Sequence, residues 1–185
     1  MTRSVKLLSA SLVAIVFAVF VPAAQAGPPL ICHPVDIGGA ASLPWGSGPG
    51  WNTPLAAYDR TRLVGDTLAL LSPATPIRVR METLRRATVY VMNDPDRGRE
   101  LLARLEARVR DGGSGSGHDL ALFDAGYLIE SLKQVRVITG RDIIDPGRDG
   151  EAMVREARQR REKDQDIAYA ADLIASGKPK AQVKR

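Results

Sequence analysis

From Asp119 to Ile138 apolar side chains dominate, and Leu120, Phe123, Tyr127, Leu128, Leu132 and Val135 recur at steps of three and four. That is the period of an α-helix, in which residues three and four apart share a face. Ala121, Leu122, Ala125 and Ile129 add small or apolar groups on the flanks. A helix apolar around most of its girth needs neighbours on several sides. The stretch 119–138 is therefore predicted to be the central helix of an all-α domain. His118 or Asp119 would cap its start, and Gly140 stands where a left-handed C-terminal cap belongs.

Shorter periodic stretches flank it. Thr53-Pro54 and Thr75-Pro76 have the grammar of helix starts, a side-chain cap followed by proline at the first helical position. A first helix is predicted over Leu55–Leu71, with Val64, Thr67, Leu68 and Leu71 on one face. The second runs from Pro76 to about Met92, with Ile77, Met81, Leu84, Thr88 and Val91 as its buried stripe. Its opening, Ile77-Arg78-Val79-Arg80-Met81, also alternates like a strand, but no second strand is present to pair with it. Glu82 stands three before Arg85 and four before Arg86, a favourable surface pairing of about 0.3 kcal/mol. Asn93-Asp94-Pro95 opens a third helix reaching Arg110, antiparallel to the second. Beyond the central helix, Asp149 caps a last helical region, Glu151–Ser176. Arg158 to Asp166 lacks any apolar residue, so either one solvated helix spans the gap or two helices break near Lys163-Asp164.

The predicted fold class is thus all-α: a five- or six-helix antiparallel bundle or helix-hairpin array with an extended Gly/Pro-rich N-terminal arm. The arm covers 27–54 and the helical domain 55–176, with a flexible Gly/Ser linker at 111–117 and a disordered basic tail at 177–185. Prolines and glycines exclude a long helix from the arm, whereas Leu30, Ile31, Val35, Ile37, Leu43 and both tryptophans serve as pegs holding it to the helices. Asp94-Pro95 and Asp145-Pro146 also align as copies 51 residues apart, a likeness that shared helix-start chemistry explains without a structural repeat.

Composition changes the picture at the N-terminus. Arg3 and Lys6 precede the uninterrupted apolar run Leu12–Val21, and Ala24-Gln25-Ala26 forms a small-x-small cleavage site. The run falls short of the roughly 20 residues needed to span a bilayer. Residues 1–26 therefore read as a signal peptide, and the mature chain as a periplasmic or secreted bacterial protein. Ile31 before Cys32 speaks against lipidation of that cysteine. Losing Arg3 and Lys6 lowers the net charge from +5 to +3, a mild basic excess. One cysteine permits no internal disulfide. The basic cluster Arg155, Arg158, Arg160, Arg161 and Lys163 is interleaved with Glu151, Glu156, Glu162 and Asp164, which describes a solvated face and not a nucleic-acid surface.

Candidate chemistry is sparse. The chain has no G-x-S-x-G, H-E-x-x-H, P-loop or cysteine pair, so no catalytic residue and no cofactor is assigned. Asp124, between Leu120 and Leu128 on the apolar face of the central helix, would have its pKa raised by burial. With no second catalytic group evident, it is expected to be a satisfied polar core residue. Asp145, Asp149 and Glu156 fall at the first, fifth and twelfth positions of a calcium loop, but Gly147 occupies the third, so an ordinary capped turn is favoured. Cys32-His33 offers a thiolate and an imidazole to a soft metal, with only His118 left to help.

The scarce residues Cys32, His33, Trp45 and Trp51 cluster in the arm. Tryptophan is enriched at binding hot spots, so the arm and the helix surface beneath it form the candidate interaction site, for a protein or peptide. The rival is that these side chains staple the arm in place. The expected function is a non-catalytic helical binding module, with a small exported enzyme or a calcium- or soft-metal-binding protein as the alternative.

Overall fold

The computed structural model describes residues 27–177, and these contain seven α-helices and no strand. The expected signal peptide, 1–26, and the basic tail after Gly177 lie outside the described residues. The helices are α1 (Pro29–Cys32), α2 (Leu63–Leu70), α3 (Ile77–Val91), α4 (Pro95–Asp111), α5 (Ser116–Thr139), α6 (Gly150–Arg160) and α7 (Gln165–Ser176). The architecture is all-α, as the periodicity requires. Among the described residues no helix is long and apolar enough to cross a membrane.

Helix α5 is the centre, packing against α1, α3, α4, α6 and α7. Every residue from Asp119 to Leu132 is buried, which accounts for an apolar pattern with no polar face. It begins earlier than predicted, at Ser116, so that part of the Gly/Ser segment is helical; neither His118 nor Asp119 caps it. His118 instead lies within hydrogen-bond distance of the Val109 carbonyl, with Nδ1 at 3.2 Å, tying the helix to α4. Gly140 closes the helix in the left-handed conformation, φ 73°, as expected. The closest crossing is with α6: a Cβ on Gly126 would lie 2.6 Å from the Gly150 carbonyl oxygen. Only glycine allows the two backbones that approach.

Local helix-start chemistry holds at α4, where the Asp94 carboxylate accepts from Arg97 N at 3.1 Å, and at α6, where Asp149 accepts from Ala152 N at 2.8 Å. At Asp145-Pro146 it does not. Asp145 accepts from Gly147 N at 2.8 Å in a tight turn, and the helix begins only at Gly150. The two Asp-Pro pairs therefore do different things, and the alignment built on them reflects no repeated unit. Thr53-Pro54 also fails as a start. Gly46 N donates to Thr53 O at 2.8 Å and Trp45 bridges Pro54, closing a loop that spends this backbone on the arm. A 3₁₀ turn at Arg60–Arg62, capped by Asp59, leads into α2 instead. In the last region the chain breaks between α6 and α7, where Asp164 caps the new helix. A stretch with no apolar group has nothing to bury, so packing does not hold it as one rod.

Helix α3 departs most from expectation. Besides its apolar stripe it buries Arg80, Glu82 and Arg85 almost completely. The pairing of Glu82 with Arg85 and Arg86 is present, but it is a buried cluster beneath the arm and not a surface pair. The arm, expected to be extended, opens with the single helical turn α1 and drops Leu30, Ile31 and Leu43 fully into the core.

Candidate functional site

Two charged clusters leave α3 on different sides, and Glu82 organises the first. Its Oε2 accepts from Arg85 Nε at 2.7 Å and Val35 N at 3.0 Å, and its Oε1 from Arg85 Nη2 at 2.9 Å and Arg86 Nε at 2.7 Å. Burial pushes the Glu82 pKa up, but the hydrogen bonds and charge of Arg85, with Arg86 and the Val35 amide, more than reverse this and leave it below the ordinary 4.5. The two arginines then reach outward to the arm. Arg85 Nη1 donates to the carbonyls of Ile31 at 3.0 Å and Trp51 at 2.9 Å, and Arg86 Nη1 to that of Leu43 at 2.7 Å. Trp45 lies edge-on to Tyr90, with ring centroids 5.9 Å apart. Its face receives Arg85 at 4.9 Å and Arg86 at 5.5 Å, within cation–π range. Tyr90 hydroxyl donates to Pro44 O at 2.6 Å and accepts from Leu55 N at 3.0 Å.

The residues singled out in the arm sit within or beside this cluster. Trp45 and Trp51 are half-buried against the core, and Cys32 is buried at the end of α1. Burial raises the Cys32 pKa, with the charge of Arg85 opposing, so the group is held as a thiol at neutral pH. His33 follows at the C-cap of α1, half-buried, and its Nε2 has no hydrogen-bond partner among the described residues. Asp145, Asp149 and Glu156 do not converge. The first two are engaged in the turn and cap already described, and Glu156 accepts from Arg160 Nη2 at 2.7 Å. Among the described residues no group of three or more His, Cys, Asp or Glu side chains is placed to share a metal ion.

The second cluster is Arg80, Asp124 and Arg108, brought together from α3, α5 and α4. Arg80 Nη1 donates to Asp124 Oδ2 at 2.5 Å, with Arg80 1 % and Asp124 2 % exposed. Arg80 also donates through Nε to Thr75 O at 3.0 Å and through Nη2 to Ser72 O. Arg108 donates to the carbonyls of Leu71 at 3.1 Å and Leu68 at 2.7 Å. Arg108 thus caps the C-terminal end of α2, where helix carbonyls lack intrahelical donors, and Arg80 holds the turn that follows it. Asp124 Oδ1 is buried and accepts nothing from the described residues. Burial pushes the carboxyl up to about 6, and the charge and hydrogen bond of Arg80, with the charge of Arg108, offset that only in part.

Asp124 and both arginines line a cleft of about 450 Å³. Its walls are largely apolar, from Leu68, Leu71, Pro73, Leu120 and Ala121, and Gly112 and Gly117 of the Gly/Ser segment edge it. The volume falls within the range of small-molecule sites. Asp124 was expected to be a satisfied core residue, and only one of its oxygens is. A signal existed in the pattern: Arg80 stands three after Ile77 and four before Leu84 on the apolar stripe of α3, as Asp124 stands four from Leu120 and from Leu128. Two opposite charges on two apolar stripes invite pairing. Nothing local, however, brings in Arg108 or leaves Oδ1 without a donor. No family model, curated protein or solved structure matches this chain.

Proposed function

We propose that this chain is an exported, non-catalytic helical binding module that holds a small ligand in the cleft between α2, α3, α4 and α5. One observation carries the reading: a buried carboxylate oxygen without a partner among the described residues belongs to a residue lining a cleft large enough for a ligand. A buried acceptor left unpaired costs about 1–3 kcal/mol, and a ligand that donates to it recovers that cost on binding. Apart from Ser72, whose hydroxyl pairs with Thr75 Oγ1 at 2.9 Å, the cleft's lining adds no His, Cys, Tyr, Lys or second carboxylate, so no base is hydrogen-bonded to a nucleophile there. That favours binding over the enzyme alternative.

Export rests on the residues of 1–26, and N-terminal sequencing of protein recovered from the cell envelope or medium tests it. The proposal requires a start at Gly27; an intact Arg3 and Lys6 in that protein contradicts it. The binding reading is tested by thermal shift against a library of small amphipathic molecules, using the wild type and Ala69→Phe. Ala69 is exposed and lines the cleft, so the bulky substitution should abolish stabilisation by ligand without lowering the unliganded melting temperature. Hits that stabilise both proteins equally would place the ligand elsewhere.

A second reading, a protein or peptide partner at the arm, has one observation in its favour. Trp45 lines a shallow groove of about 320 Å³ together with Val35, Ile37 and Gly46. Partner capture lost in Trp45→Ala at unchanged melting temperature would support that reading.

A further inference from the structure

We infer that the ligand of this cleft is a neutral hydrogen-bond donor, an alcohol or primary amide, carried on a small apolar body. This deepens the binding reading above and rests on it. Of the residues lining the cleft, Asp124 carries a buried acceptor, Oδ1, left without a partner among the described residues. A ligand that satisfies it must present an O–H or N–H. The sign of the ligand's charge is then limited by its surroundings. Arg80 and Arg108 both line the same cleft, so with Asp124 ionised the three side chains sum to one positive charge. An ammonium donor would meet Oδ1 but lie beside two guanidinium groups, of which the buried Arg80 is poorly screened by water.

An anion fares no better. The guanidinium groups already donate to the carbonyls of Leu68, Leu71, Ser72 and Thr75 and to Asp124 Oδ2. A carboxylate entering the cleft would bring further acceptors against Oδ1, and would leave that oxygen unpaired. A neutral hydroxyl or amide meets the acceptor without either conflict. The rest of the ligand is apolar because the walls are largely so: Leu68, Leu71, Pro73 and Leu120 offer no polar side chain, and the Ser72 hydroxyl already pairs with Thr75. A six-membered ring with a one-carbon arm fits well within about 450 Å³.

The test uses three probes of one shape: cyclohexylmethanol, cyclohexylmethylamine and cyclohexanecarboxylate. Each is titrated at pH 7.5 into the purified protein and into Ala69→Phe. The readout is the side-chain carboxyl ¹³C resonance of Asp124, assigned by its loss in Asp124→Asn. The alcohol is expected to shift that resonance saturably and to bind at least tenfold tighter than the other two, with Ala69→Phe weakening it at least tenfold. Tighter binding of the amine or the carboxylate at the same resonance overturns the ligand class and leaves the cleft as a binding site. Alcohol binding that leaves Asp124 unmoved, or that Ala69→Phe does not weaken, overturns the placement. No shift with any probe at millimolar concentration overturns both the ligand class and the cleft reading.

Discussion

Glu82 and Asp124 are both buried carboxylates paired with arginine, and both pairs involve α3, yet they differ in completeness. Glu82 receives four hydrogen bonds, two at each oxygen, and its arginines reach on to bind the arm. Asp124 receives one from Arg80, at Oδ2, and nothing from the described residues at Oδ1. The contrast separates structure from site. A buried network is stabilising when every member is satisfied, and a partly satisfied one is a weakness unless something else completes it. The Glu82 cluster staples the arm to the helices; the Asp124 cluster faces a cleft.

Removing the satisfied carboxylate should have the largest effect. Glu82→Ala strands the buried Arg85 without its counter-ion and the Val35 amide without its acceptor, a loss of about 3–5 kcal/mol. For a domain of this size that lowers the melting temperature by roughly 10 °C, read by circular dichroism. A drop of only a degree or two would mean the cluster does not hold the arm. Trp45→Ala comes next, losing the edge-on contact with Tyr90 and the cation–π contacts with Arg85 and Arg86, about 2 kcal/mol. The same substitution sharpens the comparison, since a staple predicts loss of stability and an interaction site predicts loss of partner capture first.

Smaller effects appear as opposite responses to pH. The folded Asp124 pKa, about 6, lies above its ordinary 3.8. Between those values the folded state holds the proton that the unfolded state has released, so Asp124's contribution to stability falls as pH rises through this window and is flat above it. The stability gap between wild type and Asp124→Asn should therefore narrow from about pH 4 to pH 6. Glu82 is held below its ordinary 4.5, so its contribution is present above that pH and is lost as pH falls through the folded value. The gap for Glu82→Gln should widen as pH rises toward 4.5 and then stay constant. Urea denaturation at stepped pH measures both, and parallel slopes would erase the distinction. Smallest of all is Ala69→Phe, at an exposed position on the cleft, which should change stability by less than about 0.5 kcal/mol.

What the sequence made legible was local. The period of three and four along α5, the Asp94-Pro95 start and the Gly140 stop are written in neighbouring residues, and each element lies where they put it. The hidden features depend on distant partners. Glu82, Arg85 and Arg86 look like a surface trio until residues 31–51 fold over them. Thr53-Pro54 looks like a helix start until Gly46 claims its backbone. The cleft is the extreme case, assembled from α2, α3, α4 and α5, with its telling feature an atom that bonds to no group among the described residues. Spacing rules describe bonds that neighbours make, and they are silent on one that nothing supplies.

The most direct measurement is a ¹³C carboxyl titration of Asp124 and Glu82 in the folded protein, without and with saturating cyclohexylmethanol. The account predicts an Asp124 midpoint near 6 and a Glu82 midpoint below 4.5. It also predicts that the alcohol lowers the Asp124 midpoint, because a donor at Oδ1 favours the ionised form, and leaves Glu82 unchanged. Two midpoints both below 4.5, or an Asp124 midpoint the alcohol does not move, would contradict it.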